Sequence, residues 1–281
     1  MDRVDAELIE GLQHGDDAAL GALLSRHAPG IYRFGLKMCR DPEDAKDVVQ
    51  DTLLAAARGI RDFRGASSVS TWLFTIARSF CIKKRRRAPV ADASVSLDDD
   101  AEVAAVRSPG ALPDEAVADR QLGAALERAI ASLEPMYREV LVLRDVEGLT
   151  APEVAEILEL SVDAVKSRLH RARAHVRGQL TAFLPGAEPA GGAGPAPACP
   201  DIVALFSRYV ESDIGADECA AMERHIATCP RCGVACDSLK RTLALCRAEP
   251  RGEVPPGVQD RVRTAIRDLS VAGAPPGPRV S

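Results

Sequence analysis

The stretch TAPEVAEILELSVDAVKSRLHRARAHVR, residues 150–177, constrains the fold more than any other part of the chain. Val154, Ile157 and Leu158 recur at helical spacing on one face, and Val165 and Leu169, four residues apart, form a second. Between them Leu160-Ser161 makes a turn in which the Ser161 hydroxyl can cap the second helix. Two amphipathic helices hinged so tightly pack their apolar faces together as a helix-turn-helix. The other side of the second helix then offers Lys166, Ser167, Arg168, His170, Arg171 and Arg173, with no acid anywhere in 164–178. A helix fits the major groove of duplex DNA, where Arg and Lys contact guanine edges or phosphates and a serine hydroxyl contacts either. The alternative is a basic hairpin that meets only solvent. Glu159 stands where such turns often hold glycine, which predicts a turn conformation that an ordinary residue tolerates.

The rest of the chain also reads as helical. Of 281 residues 46% are apolar but only 4% aromatic, and Ala, Leu and Val dominate, which favours packed helices over β-sandwiches. The length allows two or three small domains. Residues 5–87 keep helical periodicity nearly throughout: Ala6, Ile9 and Leu12, then Leu20, Leu23 and Leu24, then Ile31, Phe34 and Leu36. Asp41-Pro42-Glu43-Asp44 is a helix start, with Asp41 as N-cap, proline in the first turn and acids facing the dipole. DFRGASSVSTW is a loop, after which Trp72, Leu73, Ile76 and Phe80 open a helix that ends in KKRRR at 83–87.

Charge marks the boundaries. The net charge of −5 is uneven, since residues 1–87 carry 15 Lys/Arg against 12 Asp/Glu while residues 88–119 carry 1 against 8. With Pro89, Pro109, Pro113 and the Asp98, Asp99, Asp100 run, 88–119 reads as a flexible acidic linker. PGAEPAGGAGPAPA, residues 185–198, reads as a second linker. The N-terminus is acidic and amphipathic, unlike a signal peptide, and no apolar run reaches the roughly 18 residues needed to span a bilayer. A cytoplasmic protein is expected.

Thiols stay reduced in that compartment, so eight cysteines argue for metal or redox chemistry more than for structural disulfides. Cys39 and Cys81 fall in apolar helical patterns and read as inert core residues. The other six crowd into 199–246. HIATCPRC places His225 at the end of one helix, while Pro230 opens the next with Cys229 near its cap. Backbone N–H groups and the helix dipole favour a thiolate there. His225, Cys229 and Cys232 make three ligands, and Cys199 upstream is the best fourth for a tetrahedral ion. Cys219, Cys236 and Cys246 are candidate further thiols. Soft thiolates suit zinc, copper or cadmium without choosing among them. No Walker loop, HExxH or GxSxG elbow is present, so a binding protein is expected and not an enzyme.

LEPMYREVLVLRDVEGLTAPEVAEILELSVDAVKSRLHRARAHVR, residues 133–177, resembles region four of the extracytoplasmic-function sigma factors of bacterial RNA polymerase. DPEDAKDVVQDTLLAAARGI and FRGASSVSTWLFTIARSF resemble region two of the same family. The resemblance implies an all-α chain: a region-two bundle at 1–87, the linker 88–119, a region-four helix-turn-helix at 120–184 and the linker 185–198. A small metal-binding helical domain at 199–250 and a tail with a short helix at 251–281 follow. It implies that region four reads the −35 element through Ser161, Lys166, Ser167, Arg168, His170, Arg171 and Arg173. Phe63, Arg64, Ser67, Ser68, Thr71 and Trp72 are the candidates for melted −10 DNA, where unstacked bases need pockets and flat side chains. Arg78, Lys83, Lys84 and Arg85 would hold phosphates. Asp44, Asp47 and Asp51, with Gln50 beside them, would dock on the clamp helices of the largest polymerase subunit; otherwise they are a solvated face.

The cysteine-rich region resembles zinc-binding anti-sigma domains, with its surplus thiols similar to sigma factors that carry a cysteine-rich, metal-responsive extension. It implies an intramolecular contact between this region and the sigma domains. A metal-responsive gate, a structural zinc site and a CxxC redox switch all remain open. So does a conventional helix-turn-helix regulator that never joins polymerase.

Overall fold

A computed structural model describes residues 2–13, 16–39, 41–60, 63–87, 113–183, 199–248 and 254–271. Among them there are twelve α-helices and no strand. The chain forms two compact units. The expected acidic linker lies outside the described residues up to 112, as does 185–198 in full.

The first unit contains α1 (Arg3–Gln13), α2 (Asp17–Cys39), α3 (Pro42–Gly59) and α4 (Val69–Arg87), together with α7 (Ala151–Leu158) and α12 (Pro256–Val271). α3 starts as its sequence dictates: the Asp41 carboxylate accepts from the Glu43 N–H at 2.8 Å and Pro42 occupies the first turn. α2 and α3 meet closely because Gly35 presents no side chain; a Cβ there would lie 3.3 Å from Ala45. Leu23, Leu24, Ile31, Phe34, Val48, Val49, Leu53 and Leu73 fill the core, and the rings of Phe34 and Phe74 meet edge to face at 5.6 Å. α12 packs against α3 and α2 and buries Val258 and Val262.

The second unit contains α5 (Pro113–Ser132), α6 (Pro135–Leu141), α8 (Val162–Gln179), α9 (Ile202–Val210), α10 (Ala216–Thr228) and α11 (Pro230–Ala248). α5 begins seven residues earlier than the periodicity predicts, because Pro113 suits a first helical turn as well as a linker. The carbonyls at and just past its C-terminus accept from one buried side chain. Arg138 donates to the carbonyls of Ile130 at 3.1 Å and Leu133 at 2.7 Å, and also to Ala131. α6 runs on as a π-helix over Val142–Val146, ending at Gly148 with φ +79°. That wide turn carries Asp145, which is fully buried. The cysteine-rich helices share a core of Ile202, Phe206, Met222, Leu239 and Leu243, and α9 and α11 pack against α8.

Candidate nucleic-acid interface and metal centre

α8 begins as expected, with the Ser161 Oγ accepting from the Ala164 N–H at 3.1 Å. Val165 and Leu169 are buried. The turn before it differs from expectation. Glu159 has φ +56°, the left-handed conformation that favours glycine, so an ordinary residue is held where a Cβ is strained.

The basic face of α8 is divided. Ser167 and Arg171 are exposed, and Arg168 is half-buried. Arg173, expected on the exposed side with its basic neighbours, has no exposed surface at all: four residues after Leu169, it falls on the buried stripe of α8. Asp145 takes its guanidinium in a two-pronged hold at 2.8 and 2.7 Å. Ser207 Oγ of α9 accepts at 2.9 Å, and the Glu211 carboxylate, just past α9, accepts at 2.6 Å. Burial would weaken the guanidinium's hold on its proton, but the hydrogen bonds and charges of Asp145 and Glu211 outweigh it and raise the pKa. Lys166 is paired in the same way, its Nζ 2.9 Å from Asp213. A groove of about 290 Å³ lies between α8 and α9, lined by Lys166, Ser167, His170, Ser207, Glu211 and Asp213 among others. Acids of the cysteine-rich region therefore pair with two of the α8 cations, Lys166 and Arg173.

In the first unit, Ser68 caps α4 by accepting from the Thr71 N–H at 3.1 Å. Thr71 is buried, so it supports the loop more than it presents a contact. The rings of Phe63 and Trp72 meet at 5.3 Å between centroids, tilted by 42°, both half-buried, and Arg64 is exposed. Ser67 and Arg78 are half-buried, while Lys83 and Arg85 are exposed on the end of α4. The predicted polymerase-facing acids and the predicted phosphate-binding lysine meet each other. Lys84 Nζ lies 2.9 Å from Asp44 and 2.7 Å from Asp47, and hydrogen bonds to Asp47 and Asp44 raise its pKa. Burial first, then the charge of Asp47, raises the Asp51 pKa against the pull of Lys84 and Lys83. Gln50 is half-buried beside them.

The four predicted metal ligands converge. Ligand atoms of Cys199, His225, Cys229 and Cys232 all lie within 4.8 Å of one another. Cys199 and Cys229 sulfurs are 3.9 Å apart, and His225 Nε2 lies 3.2 Å from Cys232 Sγ. A tetrahedral zinc with bonds of about 2.3 Å to sulfur and about 2.0 Å to nitrogen has edges of about 3.8 and 3.5 Å. The residues fit. α10 ends at Cys229 and α11 starts at Pro230, so the Cys232 and Arg231 N–H groups point at the Cys229 sulfur. The Cys232 N–H foremost, then hydrogen bonds with the Cys232 and Cys199 side chains, lower the Cys229 pKa against burial. Burial, followed by its neighbours Cys229 and Cys199, pushes Cys232 up to about 12. The candidate further thiols stand outside this group. Cys219 Sγ faces Glu223 at 4.0 Å, and Cys236 and Cys246 are buried, with burial raising the Cys236 pKa.

Known proteins match in the same three places. Residues 23–89 match the Sigma-70 region 2 family, residues 123–176 the Sigma-70 region 4 family and residues 199–233 a zinc-finger family. The chain is 33% identical over 175 residues to the ECF RNA polymerase sigma factor SigM of Mycobacterium tuberculosis, covering 62% of this chain and 84% of that one. It is 29% identical over 184 residues to the ECF RNA polymerase sigma factor SigW of Bacillus subtilis, covering 64% of this chain and 98% of that one. A solved structure of CnrH in complex with the cytosolic domain of CnrY aligns with a TM-score of 0.48 at 28% identity, over 64% of this chain and 99% of that one. No helix among the described residues is long and apolar enough to cross a membrane. The region 2, region 4 and zinc-finger matches thus follow one another along the chain, and the chain belongs to the extracytoplasmic-function sigma factors, transcription-initiation proteins without enzymatic activity, here with a zinc-finger-type C-terminal domain.

Proposed function

We propose that this sigma factor is gated by its own cysteine-rich domain, which covers the −35-reading helix while a metal ion holds it together. The observation that carries the reading is the placement of Glu211 on Arg173 and Asp213 on Lys166. Cys199 precedes α9, His225 lies on α10, and Cys229 and Cys232 flank the start of α11. One ion bound there ties together all three helices, and the turn that follows α9 presents both acids. The assembled ligand set accompanies the covered state of α8, which supports the metal-bound form as the closed one. Loss of the ion frees α9, and the equilibrium shifts toward an open α8. Zinc suits three thiolates and one imidazole; copper or cadmium compete for the same sulfurs.

In the open state, Ser161, Lys166, Ser167, Arg168, His170 and Arg171 read the −35 element, while Arg173 stays held by Asp145 and supports α8 from its buried side. Arg64, Ser67 and the Phe63–Trp72 pair, backed by Ser68 and Thr71, receive melted −10 DNA. Arg78, Lys83, Lys84 and Arg85 hold phosphates. Asp44, Asp47, Gln50 and Asp51 meet the clamp helices of the polymerase, and docking exchanges the Lys84 pairs for partner cations. The protein works in the cytoplasm, where its polymerase is. Packing of α12 on α3 and α2 supports a second point of control on region two.

The test is in vitro transcription by core polymerase on pooled genomic fragments, with zinc-loaded chain and with chelated chain. Specific start sites are expected from the chelated form and several-fold fewer transcripts from the zinc-loaded form. Equal output from both removes the gate. DNA binding without core association and without specific initiation makes the chain an ordinary helix-turn-helix regulator.

A further inference from the structure

Cys39 is the last residue of α2 and Cys81 lies within α4, and their sulfurs are 3.5 Å apart. The apolar pattern around each predicts an inert core residue, and their separation of 42 residues conceals the pairing. A disulfide needs about 2.05 Å between sulfurs, so the pair must close by roughly 1.5 Å, within reach of side-chain rotation and small helix shifts. Cys81 is 2% exposed while Cys39 is half-buried, so a small oxidant reaches Cys39 first.

The surroundings favour the reactive form of Cys39. Its hydrogen bond with Cys81 lowers its pKa most, and the charges of Arg85 and Lys84 act in the same direction. Burial and Asp44 oppose them, as does the carbonyl end of α2. The outcome is a lowered pKa, and the thiolate is the nucleophile in thiol oxidation.

We propose that Cys39 and Cys81 are a reversible thiol–disulfide pair, oxidised by a hydroperoxide, that cross-links α2 to α4 within region two. The Cys39 thiolate attacks the peroxide and breaks its O–O bond, giving a sulfenic acid and, once protonated, one water or alcohol. Cys81 then attacks the sulfenic sulfur. The S–S bond forms as the S–O bond breaks, and the hydroxyl leaves as water with the Cys81 proton. Two thiols lose two electrons and the peroxide gains them. The site is separate from the metal cluster and does not depend on the gating proposed above. Cys81 lies three residues before Lys84, whose Nζ bridges Asp44 and Asp47, so the link would fix the part of α4 that meets α3.

The test treats the full-length zinc-loaded chain with hydrogen peroxide, blocks remaining thiols and maps disulfides by peptide mass spectrometry. A peptide joining Cys39 to Cys81 is expected, lighter by two hydrogens and lost on treatment with dithiothreitol. In Cys81→Ala, dimedone should trap Cys39 as the sulfenic acid, and circular dichroism should show that the variant folds. If it does not fold, the mapping on the unmodified chain decides alone. Cys39 and Cys81 still fully alkylatable after the cysteine-rich thiols have reacted would overturn the proposal. So would Cys39 joined to any cysteine other than Cys81.

Discussion

Glu211 brings its carboxylate to 2.6 Å from the Arg173 guanidinium, so an acid of the cysteine-rich domain neutralises a cation of the region-four recognition helix. Asp213 does the same to Lys166 at 2.9 Å. Removing both acids, as Glu211→Gln with Asp213→Asn, should raise the affinity of the zinc-loaded chain for mixed-sequence duplex DNA. About tenfold is expected, close to 1.4 kcal/mol at the affinity scale. Freed Lys166 adds phosphate contact, so the slope of log affinity against log salt should steepen by about 1. Fluorescence anisotropy across a salt series reads both quantities. Unchanged affinity and slope would mean that the acids do not shield the helix.

Arg173 is also held by Asp145, and both are fully buried. This pair joins α8 to the π-helical turn after α6 inside one unit, so its loss should appear as instability more than as altered DNA binding. Asp145→Ala leaves a buried guanidinium with Glu211 as its remaining carboxylate. Breaking a buried pair costs about 3–5 kcal/mol, and the retained Glu211 puts the expected loss at the lower end, about 3 kcal/mol. Calorimetry should register a fall in Tm of roughly 6–12 °C for a domain of this size. A change below about 1 kcal/mol would contradict the role given to Asp145.

Metal binding should release protons. Cys232, pushed up to about 12, carries its proton at pH 7 in the metal-free chain and must lose it to become a ligand. Cys229, with its lowered pKa, contributes less. Zinc affinity should therefore rise with pH between 6 and 8, by up to about tenfold per unit for each proton released. Calorimetric titration in buffers of different ionisation enthalpy counts the protons directly. His225→Ala should weaken zinc binding by at least tenfold and, with zinc present, reproduce the transcription of the chelated chain. Binding that is independent of pH would exclude Cys232 as a ligand.

What could be read from the sequence followed the range of the interactions. The Asp41 cap, the Ser161 cap and the His225–Cys229–Cys232 spacing are local, each set within eight residues, and the fold keeps them. Cys199 could be chosen because a zinc site needs a fourth ligand. The spacing of Arg173 from Val165 and Leu169 already placed it on the buried stripe of α8, but its charge argued for the basic face and only its distant partners explain the burial. Its partners Asp145 and Glu211 lie 28 and 38 residues away. Lys84 is alike: its neighbours predict a phosphate contact, while its pairing with Asp47 spans 37 residues and rests on the α3–α4 packing. The start of α5 was hidden by composition, since Pro113 and the acids after it suit a linker and a first helical turn equally.

The turn of the helix-turn-helix gives a test that needs neither metal nor polymerase. Glu159 has φ +56°, and a Cβ in that conformation costs roughly 1–2 kcal/mol. Glycine removes the strain but gains freedom in the unfolded chain, so Glu159→Gly should stabilise by no more than about 1 kcal/mol. Asparagine tolerates the left-handed region, so Glu159→Asn should match or slightly exceed the parent. Valine cannot sit there easily, and Glu159→Val should lose about 1 kcal/mol or more. Urea unfolding should therefore rank glycine at or above asparagine, then glutamate, then valine. All three substitutions remove the same charge, so any equal gain in DNA affinity separates from this ranking. Valine as stable as glycine would show that the turn carries no strain, and that Glu159 rests in an ordinary conformation.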